Sequence, residues 1–372
     1  MKKIAIITLH DVNNYGSVLQ AYATQRYFEN MGLDSVMIDY RRPWETKLGY
    51  WIYLNEKSLK GFARNVMYFP TKIIQLGVFR RFRNRYLKLT AHTYSSEAEL
   101  KANRIVADYY CTGSDQVWNS GWNEGIIPAY FLSFVEKKAL KFSFAASFGD
   151  SKLSSEEEAK IKPYLEAYDL ITVREEQSVN MLRNDLGMQA VEILDPTLQM
   201  EGEFWKSLCK PERFLNEKYI LLIQLNRSKV FDSLSVRFAK KREMKLVRLC
   251  LRVDQIVLPG KCVLIPEVED YIRLIRDAEC ILTDSFHTVS FCLNLEKQFY
   301  VYYPEKYSER LKSILSIMNL NDRELKPTAK DKDTDIEYEE PRKIIKNKRE
   351  LAKKLIAEVI KKENKDRVVS IK

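Results

Sequence analysis

The chain predicts an α/β protein of two Rossmann-like domains facing each other across a cleft. Three observations carry this. Short apolar runs alternate with longer stretches of helical periodicity from the first residues to about residue 325. The rhythm breaks at Asp195-Pro196-Thr197 and starts afresh near residue 219. The length of 372 residues is long for one core and natural for two. Strand–helix alternation of this kind builds parallel sheets with helices on their faces.

Residues 2–8 read as a first buried strand, too quickly polar for a signal peptide. Residues 17–31 follow as a helix with Leu19, Ala23, Tyr27 and Met31 on one face, and Gly32 is its stop. Residues 35–39 complete a βαβ unit. A basic helical insertion at about 41–100 comes next. Then come a third strand at 104–111, an apolar stretch at 140–148, a charged helix at 154–167, a strand at 169–173, a helix at 175–186 and a strand at 191–194. Residues 201–218 cross over to the second domain. That domain reads as strand 219–225, helix 230–241, strands 244–250 and 262–265, helix 268–278, strand 280–283, helix 286–295, strand 298–302 and helix 308–318. Residues 321–340 form a polar connection. A terminal amphipathic helix at 340–362 offers Ile344, Ile345, Leu351, Leu355, Ile356 and Ile360 for burial. The expected domains are therefore 1–200, 201–325, and a linker with helix at 326–372.

A mean hydropathy of −0.35 and the lack of any apolar run of about 20 residues point to a soluble, cytoplasmic protein. Six cysteines lie far apart without a CxxC pair, which fits free thiols in a reducing compartment and offers no metal site. The net charge is +10, and its distribution is uneven. Residues 41–90 hold twelve basic residues against Glu45 and Glu56, so the excess is concentrated there. Aromatics are interleaved, as in Tyr50-Trp51-Ile52-Tyr53. This segment fits either a solvated helical insertion with arginine stems on apolar surface or a peripheral face toward anionic lipid or a lipid diphosphate. No nucleic-acid-binding motif accompanies it.

Ligands of open α/β sheets sit beyond the carboxyl ends of the strands, so the strand-to-helix loops are the places to search. His10-Asp11-Val12-Asn13-Asn14-Tyr15-Gly16-Ser17 offers His10 and Asp11 as acid/base groups and Gly16 for close backbone approach, though it equally reads as a capped turn. Gly113-Ser114-Asp115-Gln116 places Ser114 and Asp115 after a buried strand, as ligand contacts or as caps. Arg174, before Glu175 and Glu176, suits forked recognition of phosphate or carboxylate, or an internal ion pair. Thr283-Asp284-Ser285-Phe286-His287 joins a buried strand to a helix N-terminus, where unpaired amides and the helix dipole favour an anion, though it also reads as a capped helix whose histidine packs. Tyr307-Ser308-Glu309-Arg310-Leu311 opens another helix with an arginine.

Six segments in order resemble the polysaccharide pyruvyl transferase family. They are 14–23 (Asn-Tyr-Gly-Ser-Val-Leu-Gln-Ala-Tyr-Ala), 113–119, 145–149, 173–175, 194–198 and 283–287. The resemblance spans roughly residues 4–325. It implies a GT-B-like fold and transfer of a pyruvyl group from phosphoenolpyruvate to two hydroxyls of a sugar, forming a ketal on a cell-surface polysaccharide or its lipid-linked precursor. It further implies that Arg174 and His287 match the family's donor-site arginine and histidine, with Arg310 as an additional basic contact. Phosphoenolpyruvate would be the donor substrate, with no other cofactor. Where the family usually continues His-Gly-Thr, this chain has His287-Thr288-Val289. The expected site is His287, Arg174 and Asp11 for chemistry, with Ser285, Arg310, Gly16, Ser114 and Asp115 as binding residues. Two other readings remain open at this point: a GT-B glycosyltransferase using a nucleotide sugar, and a non-catalytic member of a capsule-assembly system.

Overall fold

The structure is a computed structural model that describes residues 1–42, 59–136, 138–149, 153–304, 308–326 and 334–366. The aromatic stretch 50–53 of the basic segment and Tyr307 lie outside them. In chain order the elements are β1 (Lys3–Ile7), α1 (Tyr15–Asn30), β2 (Asp34–Tyr40), α2 (Leu59–Tyr86), β3 (Leu89–Tyr94), α3 (Glu97–Ala102), β4 (Tyr109–Thr112) and β5 (Leu140–Ser143). There follow α4 (Ser155–Leu165), β6 (Thr172–Val173), α5 (Glu176–Asn184), β7 (Val191–Glu192), α6 (Pro196–Gln199) and α7 (Gly202–Leu208). The second half runs β8 (Tyr219–Ile223), α8 (Lys229–Lys241), β9 (Lys245–Cys250), β10 (Lys261–Leu264), α9 (Val268–Asp277), β11 (Cys280–Thr283), α10 (Phe286–Asn294), β12 (Gln298–Val301), α11 (Glu309–Ile317) and α12 (Glu339–Asp366).

Two parallel sheets organise these elements. The first has the order β3-β2-β1-β4-β5, and the bridges Phe142–Leu170 and Ala146–Val173 carry it on toward β6 and β7. The second has the order β10-β9-β8-β11-β12. Each sheet thus begins in its middle, winds outward one way, then returns to wind the other way. The central strands are covered on both faces, so they read as continuous aliphatic runs: Ile4, Ala5, Ile6 and Ile7 are all fully buried.

Three features differ from the sequence-based expectation. The strand expected at 104–111 is only the four residues of β4, because Arg104 to Ala107 approach the sheet as irregular chain. The basic insertion expected to reach residue 100 instead ends at Tyr86 and returns β3 to the sheet edge beside β2. Its alternation, Leu-Thr-Ala-His-Thr-Tyr, was hidden by the charges before it. In the terminal helix Leu351 is exposed, and the buried positions are Ile345, Ala352, Ile356 and Val359.

The halves are joined at three levels. Tyr15 at the start of α1 stacks on Tyr271 of α9, ring centroids 4.5 Å apart, and its hydroxyl donates to the Pro266 carbonyl (2.6 Å). Helix α2 buries Val78, Phe79 and Phe82 in the first half while Arg81 and Arg85 pair with Glu267 and Glu269 of the second. Helix α12 crosses back: Arg349 donates to the Leu198 and Met200 carbonyls and to Asn294, and the Ile360 carbonyl accepts from Tyr109.

Candidate active site in the cleft

In both sheets the winding direction reverses beside the central strand, between β1 and β4 in the first and between β8 and β11 in the second. Ligands of such folds bind at that crevice. Here the two crevices face one cavity of about 340 Å³. The first half contributes Leu9, Val12, Asn14 and Ser17 from the region after β1, with Asp115, Gln116 and Trp122 after β4. The second contributes Leu225 and Asn226 after β8, Asp284 to His287 after β11, and Arg310 with Leu311 on α11.

Each lining segment is held by local bonds that its sequence supplies. Asn14 caps α1, its side chain accepting from the amides of Gly16 (2.8 Å) and Ser17 (3.3 Å). Ser17 then donates to Asp115 Oδ2 (2.6 Å), linking the two first-half loops. Asp115 sits at φ 68°, a left-handed conformation held by its own carboxylate accepting the Gln116 amide (2.9 Å). In the second half Asp284 accepts the amides of Leu225 (2.7 Å) and Asn226 (2.8 Å), which fixes the β8 loop against the β11 loop. Burial raises the Asp284 carboxyl above its ordinary value, against the pull of these amides. Ser285 caps α10 by accepting the Thr288 amide (3.3 Å).

His287 stands one residue inside α10, with its imidazole on the cavity wall. Behind it lies Asp195, which is wholly buried and acts as a hub. Asp195 Oδ2 accepts from Ser114 Oγ (3.0 Å) and Arg174 Nη1 (3.1 Å), and Oδ1 accepts from the Thr197 amide (2.9 Å) and hydroxyl (2.7 Å). His287 Nε2 is 3.8 Å from Oδ2, too long for a hydrogen bond, and it is buried without a hydrogen-bond partner. Burial pushes the imidazole below its ordinary value. Asp195 and Asp115 pull it back up, while Arg174 and Arg310 add to the depression. Burial would raise the Asp195 carboxyl, but His287 and Arg174 outweigh it and hold the group low.

Gly16 has a defined reason to be glycine. A Cβ there would overlap the His287 ring, so the first half of the protein closes directly on the imidazole of the second. Thr288, standing where the family usually has glycine, turns its buried side chain to the Tyr271 hydroxyl (2.9 Å) and does not line the cavity.

Of the residues expected from sequence, Asp115, Ser285, His287 and Arg310 line the cavity. Ser114 and Gly16 stand directly behind it. Arg174 differs from expectation. It is sealed beneath Phe286, 4.6 Å from that ring's centroid, with Glu175 (2.9 Å) and Asp195 as its partners, so its guanidinium lies behind the cavity wall. Burial would lower its pKa, but Glu175, Asp195 and Asp115 raise it, so the charge is permanent. Asp11 also stands away from its expected place. It lies off the cavity, with its carboxylate on Arg83 (2.7 Å) and Arg41 (3.7 Å). His10 likewise points away, to Asp39 (3.1 Å). Asp195 was not among the expected site residues: it read as a break before Pro196 and as part of the matching segment 194–198. The signal was there: an acid followed by proline at the end of a buried strand is positioned to cap a turn with one oxygen and leave the other free.

Two Rossmann-like lobes meeting at their switch points, with a cavity of mixed polar and apolar lining between them, define a GT-B-like protein. The chain matches the family model for polysaccharide pyruvyl transferase over residues 14–306. It belongs to that family and is a transferase that modifies polysaccharide. Among solved structures it is similar to UDP-GlcNAc 2-epimerase from Neisseria meningitidis bound to UDP-GlcNAc, at 12% identity and TM-score 0.51, covering 97% of this chain and 100% of that one. It is also similar to S. aureus MnaA in its UDP co-structure, at 14% identity and TM-score 0.50, covering 86% and 83%. At these identities the likeness is one of fold. Comparison with curated protein sequences gave no match.

Proposed function

We propose that this chain transfers the pyruvyl group of phosphoenolpyruvate to two hydroxyls of a saccharide, forming a cyclic ketal on a capsule or other cell-surface polysaccharide or its lipid-linked precursor. The observation that carries the reading is the His287 imidazole: on the cavity wall, backed by a buried carboxylate, its Nε2 unbonded, beside a helix N-terminus and Arg310.

Phosphoenolpyruvate brings about three negative charges at neutral pH, and the amides opening α10 together with Arg310 offset them. The bound anion also changes His287. A neighbouring negative charge favours imidazolium, so donor binding raises a pKa that burial holds down in the free protein. His287 is then a loaded acid when the donor arrives. It delivers its proton to the methylene carbon, and C2 gains oxocarbenium character. An acceptor hydroxyl attacks C2 and gives up its proton to Asp115. Phosphate leaves with the C2–O bond's electrons, and the second hydroxyl closes the ring at C2 as its own proton is lost. Arg174 acts through Asp195, holding that carboxylate ionised behind the histidine. Asn14, Gln116 and Asn226 offer polar groups to the sugar, and half-exposed Trp122 offers a ring face.

The test is phosphate release from phosphoenolpyruvate in the presence of lipid-linked oligosaccharides, with thermal stabilisation by phosphoenolpyruvate as the binding readout. Stabilisation by nucleotide sugars alone, with no phosphate release, would overturn the reading in favour of glycosyl transfer on the same scaffold.

A further inference from the structure

Helix α2 presents an apolar stripe outward. Val66, Phe69 and Ile73 follow one another at helical spacing with exposures of 59%, 44% and 51%, and Met67 and Ile74 flank them. The stripe continues onto the second lobe. The turn at Val253–Gln255 packs against α2, with Gln75 donating to the Leu251 carbonyl (2.7 Å), and the next two residues, Ile256 and Val257, are 43% and 87% exposed. An exposed apolar surface built from two lobes marks an interaction site. Two cations accompany it: Arg80 is exposed one heptad beyond Ile73, and Lys72 stands half-buried beside Ile73, whereas Arg81 and Arg85 are paired with Glu267 and Glu269. The position is also informative: Tyr68 on the same helix bonds Arg227, the neighbour of the cavity-lining Asn226.

We propose that this surface docks on an anionic bilayer, with α2 lying in the plane of the interface and the cleft opening beside it. Apolar side chains flanked by arginine are what a phospholipid interface takes, the stems entering the acyl boundary and the guanidinium groups meeting phosphate. No helix among the described residues is long and apolar enough to cross a membrane, so the contact is peripheral. Docking presents the cavity to saccharides carried on lipid. The inference stands apart from the identity of the donor and is tested without it.

The experiment is co-sedimentation of the full chain with phosphatidylcholine vesicles, with and without phosphatidylglycerol. Binding is expected on the anionic vesicles, weak on phosphatidylcholine alone, and reduced by high salt. Phe69→Gln combined with Ile73→Gln should weaken it at least about tenfold by removing apolar area. Arg80→Glu should weaken it roughly fivefold or more at low ionic strength. Neither change should alter the melting temperature. Equal binding by the Phe69/Ile73 double variant would overturn the proposal, as would no preference for anionic vesicles. Self-association of the wild type that the double variant abolishes would also overturn it, assigning the surface to a second copy of the chain.

Discussion

Among the described residues two buried histidine–aspartate pairs stand beside the carboxyl ends of a parallel sheet, and one of them puts its histidine on the cavity wall. At β1 and β2, His10 Nε2 contacts Asp39 at 3.1 Å while Nδ1 lies 3.3 Å from the Thr8 carbonyl, so both ring nitrogens are engaged. Asp39 also accepts from Arg41 and Thr93, and these bonds with His10 hold its carboxyl well below the ordinary range despite burial. At β11, His287 faces Asp195 at 3.8 Å with Nε2 unbonded. A satisfied pair fixes a loop. At His287 the Nε2 is buried beside the cavity with its hydrogen bond unmade, so the proposed chemistry is assigned to this pair and not to the satisfied one.

Mutation of the histidines gives the widest separation. His287→Ala should lower phosphate release from phosphoenolpyruvate by roughly 100- to 10,000-fold, the usual worth of a general acid, with little change in melting temperature. His10→Ala should do the reverse, costing about 1.5–3 kcal/mol of stability through the lost bond to the Asp39 carboxylate while leaving kcat within about threefold. Comparable kcat losses in both variants would erase the distinction.

Asp195→Asn comes next. It leaves Arg174 with less compensating charge, at a cost of about 3–5 kcal/mol if the site does not relax. It also removes the group that raises the imidazole pKa, so the alkaline limb of the kcat profile, where the proton donor is lost, should move to lower pH. A stability loss with an unmoved profile would mean that Asp195 is structural only. Gly16→Ala should be milder: the new Cβ displaces the His287 ring, costing about 1–3 kcal/mol and lowering kcat more than binding of phosphoenolpyruvate, read as a kcat-against-KM split.

The smallest effect is the pH dependence of folding in the ligand-free protein. The native His287 pKa is depressed below its ordinary 6.5, so the unfolded chain binds more protons between the two values. Stability from this group is complete above about pH 6.5 and falls as pH drops toward the native value, by at most about 1.4 kcal/mol per unit. His287→Gln should flatten that slope in chemical denaturation. Phosphoenolpyruvate should flatten it as well, because it stabilises the charged form.

Legibility followed how much each region depends on distant partners. The second half was readable almost to the residue: strand 280–283 is β11, and the helix expected from 286 is α10, because apolar run, cap and periodicity all agree locally. The first half was harder to read. Strand β3 followed a charged helix that obscured its alternation, and β6 and β7 are two residues each, too short for a pattern to show. Ser285, His287, Asp115 and Arg310 lie on the cavity wall because such walls are built from loops after buried strands, and nothing local reveals that Arg83, 72 positions along, would pair with Asp11.

The sequence by itself determined the sheet-forming runs, the caps Asn14 and Ser285, and the loops from which a site is built, since these follow from side-chain period and backbone hydrogen bonding within a few residues. Only the tertiary structure decided which charges meet. It set Asp195 behind His287, sealed Arg174 beneath Phe286, and pressed Gly16 against the imidazole. Electrostatics and close packing act through space, and residues 100 or more positions apart share a wall only once both sheets have closed on it.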